Sequence, residues 1–236
     1  MWYFITFVLG AIIGSFLNTV IYRLSVEGLT LWDPPYSVCP VCKHRLSWKD
    51  NIPLISYIIL SGKCRYCGSK IPVRYFIVEF FNASFYLVTS MLVKNILSLV
   101  SLWGIFSSLL AISFMDIETY SIHDGLLIIL LISSLLFSCS IHNLLYGSIS
   151  ALVGFIFFFT LYKLKKGIGF GDVLLIGAAG FSMDLIRLNI AILIAAASGI
   201  VYSLIAFKGY KPKKTIPFTP FMSVGIITSI FLMLLQ

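Results

Sequence analysis

Leu97-Ser-Leu-Val-Ser-Leu-Trp-Gly-Ile-Phe-Ser-Ser-Leu-Leu-Ala-Ile-Ser-Phe-Met115 runs for 19 residues without a charge and ends on Asp116. A helix rising 1.5 Å per residue needs about 20 apolar residues to cross the hydrocarbon core of a bilayer. Comparable runs fall at 2–22, 75–93, 125–141, 144–162, 172–184, 189–207 and 217–235. Of the 236 residues, 59% are hydrophobic and 11% charged, with a mean hydropathy of +1.01. A soluble domain carries about 25% charged residues. Apolar surface in this excess cannot all be hidden in a core and has to face lipid. The expected fold class is therefore an all-α polytopic membrane protein with about eight transmembrane helices, bounded by membrane lipids. The sixth run is short and could begin inside protein or a wet cavity.

The net charge of +8 invites a nucleic-acid reading, but the placement of the charges argues against one. Arg23, Lys43, Arg45, Lys49, Lys63, Arg65, Lys70 and Arg74 follow the first run. Lys163, Lys165 and Lys166 follow the fifth, and Lys208, Lys211, Lys213 and Lys214 follow the seventh. In an eight-span arrangement these 15 of the 17 basic residues share one side, and only Lys94 and Arg187 lie opposite. The positive-inside rule makes that side cytoplasmic. The segment from Met1 to Ile21 lacks a basic start and a small-residue cleavage site, so it reads as a retained span rather than a signal peptide. Composition divides the chain into a first transmembrane helix (1–22), a cytoplasmic loop rich in Pro, Cys and charge (23–74) and a helical bundle (75–236).

The loop contains Cys39-Pro-Val-Cys42 and Cys64-Arg-Tyr-Cys67, two C-x2-C turns separated by 21 residues. Each turn aims two sulfurs at one point, and two turns close a tetrahedral thiolate site for Zn²⁺ with no open coordination position. The metal expected here is structural. Disulfides are the competing reading, disfavoured by a reducing cytoplasm. Cys139, within the fourth run, reads as a packing residue.

Only nine acidic residues occur. Glu27, Asp33 and Asp50 in the loop, Asp184 at a helix end and Glu118 read as solvated. Glu79, Asp116, Asp124 and Asp172 instead fall at the cytoplasmic membrane boundary, where ionisable groups are costly and tend to be functional. Asp116 and Asp172 have the same depth, although 56 positions separate them. Two carboxylates held close share a proton, so one can accept a proton from water while the other donates to a peptide carbonyl. Gly169 and Gly171 before Asp172 would let a substrate backbone approach and the chain turn into its helix. The alternative is a pair of helix-end caps.

Taken in order, these features resemble the bacterial type IV prepilin peptidases, membrane aspartyl peptidases of the GxGD type. The resemblance rests on Gly14-Ser-Phe-Leu-Asn18 with Tyr22-Arg23, on the four cysteines with Asn51-Ile-Pro-Leu-Ile-Ser56 between them, and on Arg74-Tyr-Phe-Ile-Val-Glu79. It continues through the D-x7-D pair Asp116 and Asp124, Gly169-Phe-Gly-Asp172 and Pro217-Phe-Thr-Pro220. It implies that Asp116 and Asp172 are catalytic, with Gly169, Gly171 and Asp124 supporting the site, and that the substrates are prepilins or pseudopilins of pilus, type II secretion or competence systems. Their leader would be cut after a glycine at the cytoplasmic face of the bacterial cytoplasmic membrane. It further implies N-methylation of the new terminus by S-adenosylmethionine, with Gly14, Asn18, Arg23, Arg74 and Glu79 in the methyltransferase part. His123 stands where the family usually has Pro, and Ala83 where it often has Gly. A cleavage-only peptidase, a protease cutting within membrane helices, an ion-coupled transporter and a non-enzymatic scaffold are the competing readings.

Overall fold

The computed structural model describes residues 1–26, 28–141, 144–165, 167–207 and 216–235. Glu27 and the basic residues Lys166, Lys208, Lys211, Lys213 and Lys214, used above to orient the chain, lie outside the described residues. Within them the chain is helical: α1 (Trp2–Ser25), α2 (Ile55–Ile59), α3 (Arg74–Leu92), α4 (Ile96–Thr119), α5 (Asp124–Ile141), α6 (Leu144–Lys163), α7 (Phe170–Gly180), α8 (Leu185–Phe207) and α9 (Thr219–Leu234). Every expected apolar run is a helix. Among the described residues the short α2 and one 3-10 turn at Trp48–Asn51 are additional.

Six of these helices, α1, α3, α4, α5, α6 and α8, are long and apolar enough to cross a membrane. The 11 residues of α7 extend only about 16 Å at 1.5 Å each, half the hydrocarbon thickness. The apolar run there continues to Asp184, but the helix stops at Gly180 because the chain turns: Ser182 N donates to Ala179 O at 2.9 Å and Met183 N to Gly180 O at 3.3 Å. Asp184 then caps α8, its Oδ1 accepting from Arg187 N at 2.9 Å, so α8 begins four residues before its apolar run. The side chain also pairs with the Arg187 guanidinium. Asp184 is thus a structural cap rather than a freely solvated acid.

Contacts divide the chain into two compact units, Met1–Met91 and Leu92–Gln236. The contacts therefore group α3 with α1, while composition alone set 75–236 apart. In the first unit α1 packs on α3 through small residues. A Cβ at Gly10 would lie 2.8 Å from Ala83 Cα, and one at Gly14 would lie 2.7 Å from Glu79 Cα. This spacing is the small-xxx-small interface of membrane helices. Buried polar groups reinforce it, with Asn82 Nδ2 donating to Gly10 O at 2.8 Å and Thr6 and Ser90 hydroxyls 3.1 Å apart.

In the second unit α4 packs against α5 and α9, α7 against α5 and α6, and α8 against α9. Close approach again needs a missing side chain, since a Cβ at Gly180 would lie 2.6 Å from Ala151 Cα. These packings bring three helix ends together: the C-terminus of α4 and the N-termini of α7 and α9.

Candidate active site and metal centre

Asp116 occupies the last turn of α4, where the helix dipole disfavours a carboxylate. A C-terminal acid gains nothing as a cap there, and α4 is instead closed by Tyr120 in the left-handed region, its N–H donating to Asp116 O at 3.0 Å. Asp172 lies in the first turn of α7, where the dipole favours it, and its Oδ2 accepts from Gly169 N at 3.1 Å. This is the backbone half of a capping box. Capping of its own helix therefore accounts for part of Asp172 and none of Asp116, whose carboxylate reaches another helix.

Both carboxylates converge on one residue that the sequence reading did not single out. Thr219 opens α9, where the first N–H groups of a helix have no intrahelical acceptor. Its N–H donates to Asp116 Oδ2 at 3.1 Å, and its hydroxyl donates to Asp172 Oδ1 at 3.2 Å. Thr219 is fully buried, and Asp116 and Asp172 are 8% and 9% exposed. The pair is thus held close in a largely buried site. The Pro217-Phe-Thr-Pro220 segment carried the available signal, a proline-bounded helix start, but nothing local said what its N–H would meet.

The supporting residues fall into different places. Gly169 is extended rather than left-handed, with φ −76°; the left-handed turn is made by Gly167, φ +78°. Gly171 faces protein, since a Cβ there would lie 2.9 Å from Ile122 Cδ1. It packs against the link between α4 and α5, where a larger residue would have to displace the end of the Ile122 side chain. Asp124, exposed at the start of α5, makes no hydrogen bond to the pair among the described residues and lines a largely apolar groove of about 680 Å³ beside α6 and α7. His123 Nδ1 accepts from Gly125 N at 3.1 Å, so in place of proline this residue caps the entry to α5.

In the first unit the two cysteine turns are near copies of one another. Cys39 N donates to His44 O at 3.0 Å and Lys43 N to Cys39 O at 2.9 Å; Cys64 N donates to Ser69 O at 2.8 Å and Gly68 N to Cys64 O at 2.9 Å. Lys43 (φ +57°) and Gly68 (φ +71°) make the same left-handed turn after each pair, flanked by the bridges Val38–Arg45 and Lys63–Lys70. The four sulfurs lie within 4.8 Å of one another, and Cys39 and Cys67 Sγ are 3.9 Å apart. Four thiolates at about 2.3 Å from a tetrahedral ion would be spaced about this far, so the residues fit a metal ion. Burial pushes the Cys39 thiol up, but backbone hydrogen bonds from Cys42 and Val41 outweigh it and bring it to about 6.

Asp50 ties the loop together. The expectation that it is solvated fails: its side chain is 3% exposed and accepts from Ser47 N (3.0 Å), Ser47 Oγ (2.7 Å), Arg65 Nε (2.7 Å) and Tyr66 OH (3.1 Å). Burial raises its pKa, but these bonds, led by that from the Ser47 hydroxyl, hold it at about 2. Asp33 is exposed, as expected.

A cavity of about 530 Å³ opens beside this loop, with Tyr22, Arg23, Asp50, Tyr57, Tyr75 and Glu79 among its lining. Small-molecule sites commonly have this size. Arg23 is 7% exposed and donates to Leu31 O (2.5 Å), Pro34 O (2.6 Å) and Tyr36 O (3.0 Å), so its donors hold the 30–36 segment. Asn18 Nδ2 donates to Tyr75 O at 2.9 Å, Arg74 stacks 5.0 Å from the Tyr75 ring centroid, and Gly14 serves the α1–α3 contact described above. Of the five residues expected in this part, Arg23 and Glu79 line the cavity and Gly14, Asn18 and Arg74 do not.

Residues 8–93 match the model of the bacterial peptidase A24 N-terminal domain, and residues 103–204 that of the type IV leader peptidase family. The prepilin leader peptidase/N-methyltransferase of Pectobacterium carotovorum subsp. carotovorum is 33% identical over 95% of this chain and 91% of its own length. This chain belongs to the type IV leader peptidase family. The type 4 prepilin-like proteins leader peptide-processing enzyme of Escherichia coli O78:H11 is 32% identical, covering 94% of this chain and 91% of that protein. The prepilin leader peptidase/N-methyltransferase of Burkholderia pseudomallei strain 1026b is 30% identical, covering 95% and 83%. No solved structure matches the chain. Membership in this leader peptidase family makes the chain a multi-pass membrane protease, consistent with its six long apolar helices.

Proposed function

We propose that the chain cleaves the leader of type IV prepilins or pseudopilins after a glycine, at the cytoplasmic face of the bacterial cytoplasmic membrane, and then methylates the new N-terminus. The observation that carries cleavage is the convergence of Asp116 and Asp172 on Thr219. With one carboxyl ionised and the other protonated, the ionised one takes a proton from water as the water oxygen bonds the scissile carbonyl carbon. The protonated one donates to the carbonyl oxygen. The tetrahedral intermediate collapses as the C–N bond breaks and a proton passes to the amine, releasing a carboxylic acid and a free N-terminus. The placement of the basic residues along the sequence supports an orientation with this site inside, where a basic leader would remain.

The cavity walled by Glu79 and the tyrosines supports the methyl-transfer reading, since carboxylates and aromatic faces attract a sulfonium cation. S-adenosylmethionine, when bound, supplies a methyl carbon on such a cation. Zn²⁺ in the four-cysteine site has no open position and would hold the loop that forms one wall.

The test is mass spectrometry of a prepilin co-expressed with the wild-type chain, Asp116→Asn or Asp172→Asn. The wild type is expected to yield a leaderless, singly methylated product, and each variant to lose at least about 1000-fold in cleavage while remaining folded. Near-wild-type cleavage by either variant overturns the reading.

A further inference from the structure

Among the described residues Thr219 bonds both members of the aspartate pair: its N–H donates to Asp116 and its hydroxyl to Asp172, the hydroxyl lying close enough to Asp116 to interact with that carboxyl as well. The N–H arises from the start of α9 and would be present with any residue but proline at this position. The hydroxyl belongs to this side chain alone. At the first position of a helix a threonine hydroxyl has no preceding turn to bond back to, so it is available to another element. Its β-branch restricts χ1, and complete burial leaves it no water to turn toward.

The register that delivers Thr219 is also fixed. One turn deeper, Ser113 Oγ of α4 donates to Ser223 Oγ of α9 at 2.8 Å, three residues before Asp116 and four after Thr219. On the far side of α9, Gly225 is packed against the Ala191 backbone. Sliding α9 by one residue would break both contacts and turn the hydroxyl away from Asp172.

We infer that the Thr219 hydroxyl is a positioning residue of the peptidase site, orienting the Asp172 carboxyl relative to Asp116 so that the pair works as one acid–base unit. This rests on the proposed peptidase reading. A hydroxyl acting on the orientation of a catalytic group changes the rate of the bound complex more than substrate affinity, because the contact is with the reacting carboxyl and not with substrate.

The experiment measures kcat and KM of the full-length chain in detergent, with a purified prepilin carrying its intact leader, for wild type, Thr219→Val, Thr219→Ala and Thr219→Ser. Thr219→Val keeps the shape and removes the donor; Thr219→Ser keeps the donor. Thr219→Val and Thr219→Ala are expected to lower kcat by about 10- to 100-fold, the size of a lost hydrogen bond to a charged group, with KM within about 2-fold. Thr219→Ser is expected to stay within about 3-fold of wild type in kcat. Thermal unfolding of each variant separates this from a folding defect, and Thr219→Ala keeps the test open if the valine variant does not fold. Wild-type kcat in a folded variant without the hydroxyl, a loss confined to KM, or a serine variant as impaired as valine would each overturn the inference. Asp116→Asn measured alongside isolates the underlying reading: if it still cleaves, the peptidase assignment fails; if it is dead while Thr219→Val is normal, only the role of the hydroxyl fails.

Discussion

Glu79 Oε2 accepts a 2.7 Å hydrogen bond from the backbone N–H of Leu54, a leucine held at φ +64°. A side chain with a Cβ enters the left-handed region only at a cost of order 1 kcal/mol, and such conformations persist where the surroundings hold them. Here a tight local turn, Ile55 N donating to Pro53 O at 2.6 Å, is joined by the carboxylate, 25 residues away in sequence. Both residues belong to the unit that contains the cavity.

Replacing Glu79 by alanine leaves that N–H unpaired and releases the turn leading into α2. Glu79→Ala is expected to lower N-methylation at least about 10-fold while leader cleavage stays within about 3-fold of wild type, because the aspartate pair lies in the other compact unit. Mass spectrometry of co-expressed prepilin reads both quantities in one spectrum. A fully methylated product would contradict this.

Asp50 supplies a pH dependence with a definite sign. Its carboxyl sits at about 2 in the folded chain, against about 3.9 when unfolded. Between these values the unfolded chain binds more protons, so stability falls with falling pH. The contribution is fully present above the unfolded value and is lost as pH drops through about 2. The thermal midpoint of wild type should therefore exceed that of Asp50→Asn by a constant margin from about pH 5 to 7, and the margin should shrink below about pH 4. A margin unchanged down to pH 3 would show that the four hydrogen bonds do not favour the ionised form.

The cysteine site is tested by composition and by removal. The purified chain is expected to carry about one zinc by metal analysis, absent from Cys39→Ser/Cys42→Ser. Chelation should lower the thermal midpoint of wild type and leave that of the double variant unchanged, since the bound ion stabilises the fold it binds. Retained stoichiometry in the double variant would place the metal elsewhere.

Much of the architecture was legible because it depends on quantities local in the chain. Transfer of an apolar run to lipid is decided by the residues in that run, so all eight helices were foreseen. Metal-binding turns are equally local. Cys39, Cys42 and their counterparts Cys64 and Cys67 carry their geometry in a spacing of three, and the structure added only that Lys43 and Gly68 make the same turn. Asp116 and Asp172 were visible as acids at helix ends because acids are rare in this chain.

What the tertiary structure alone decided are relationships set by register between distant elements. Thr219 meets Asp116 across 103 positions and Asp172 across 47, and no periodicity at residue 219 reports that. Gly10 and Gly14 are ordinary small residues until α3 is laid against them. Asp50 looked like a solvated loop acid because loops are generally wet; only the fold of two cysteine turns around it removes the water and supplies four donors. Composition thus determined that the chain is a multi-span membrane protein and where its apolar helices fall. A carboxyl acquires its partners only when helices pack, because hydrogen-bond geometry is a property of distances between elements and not of either element alone.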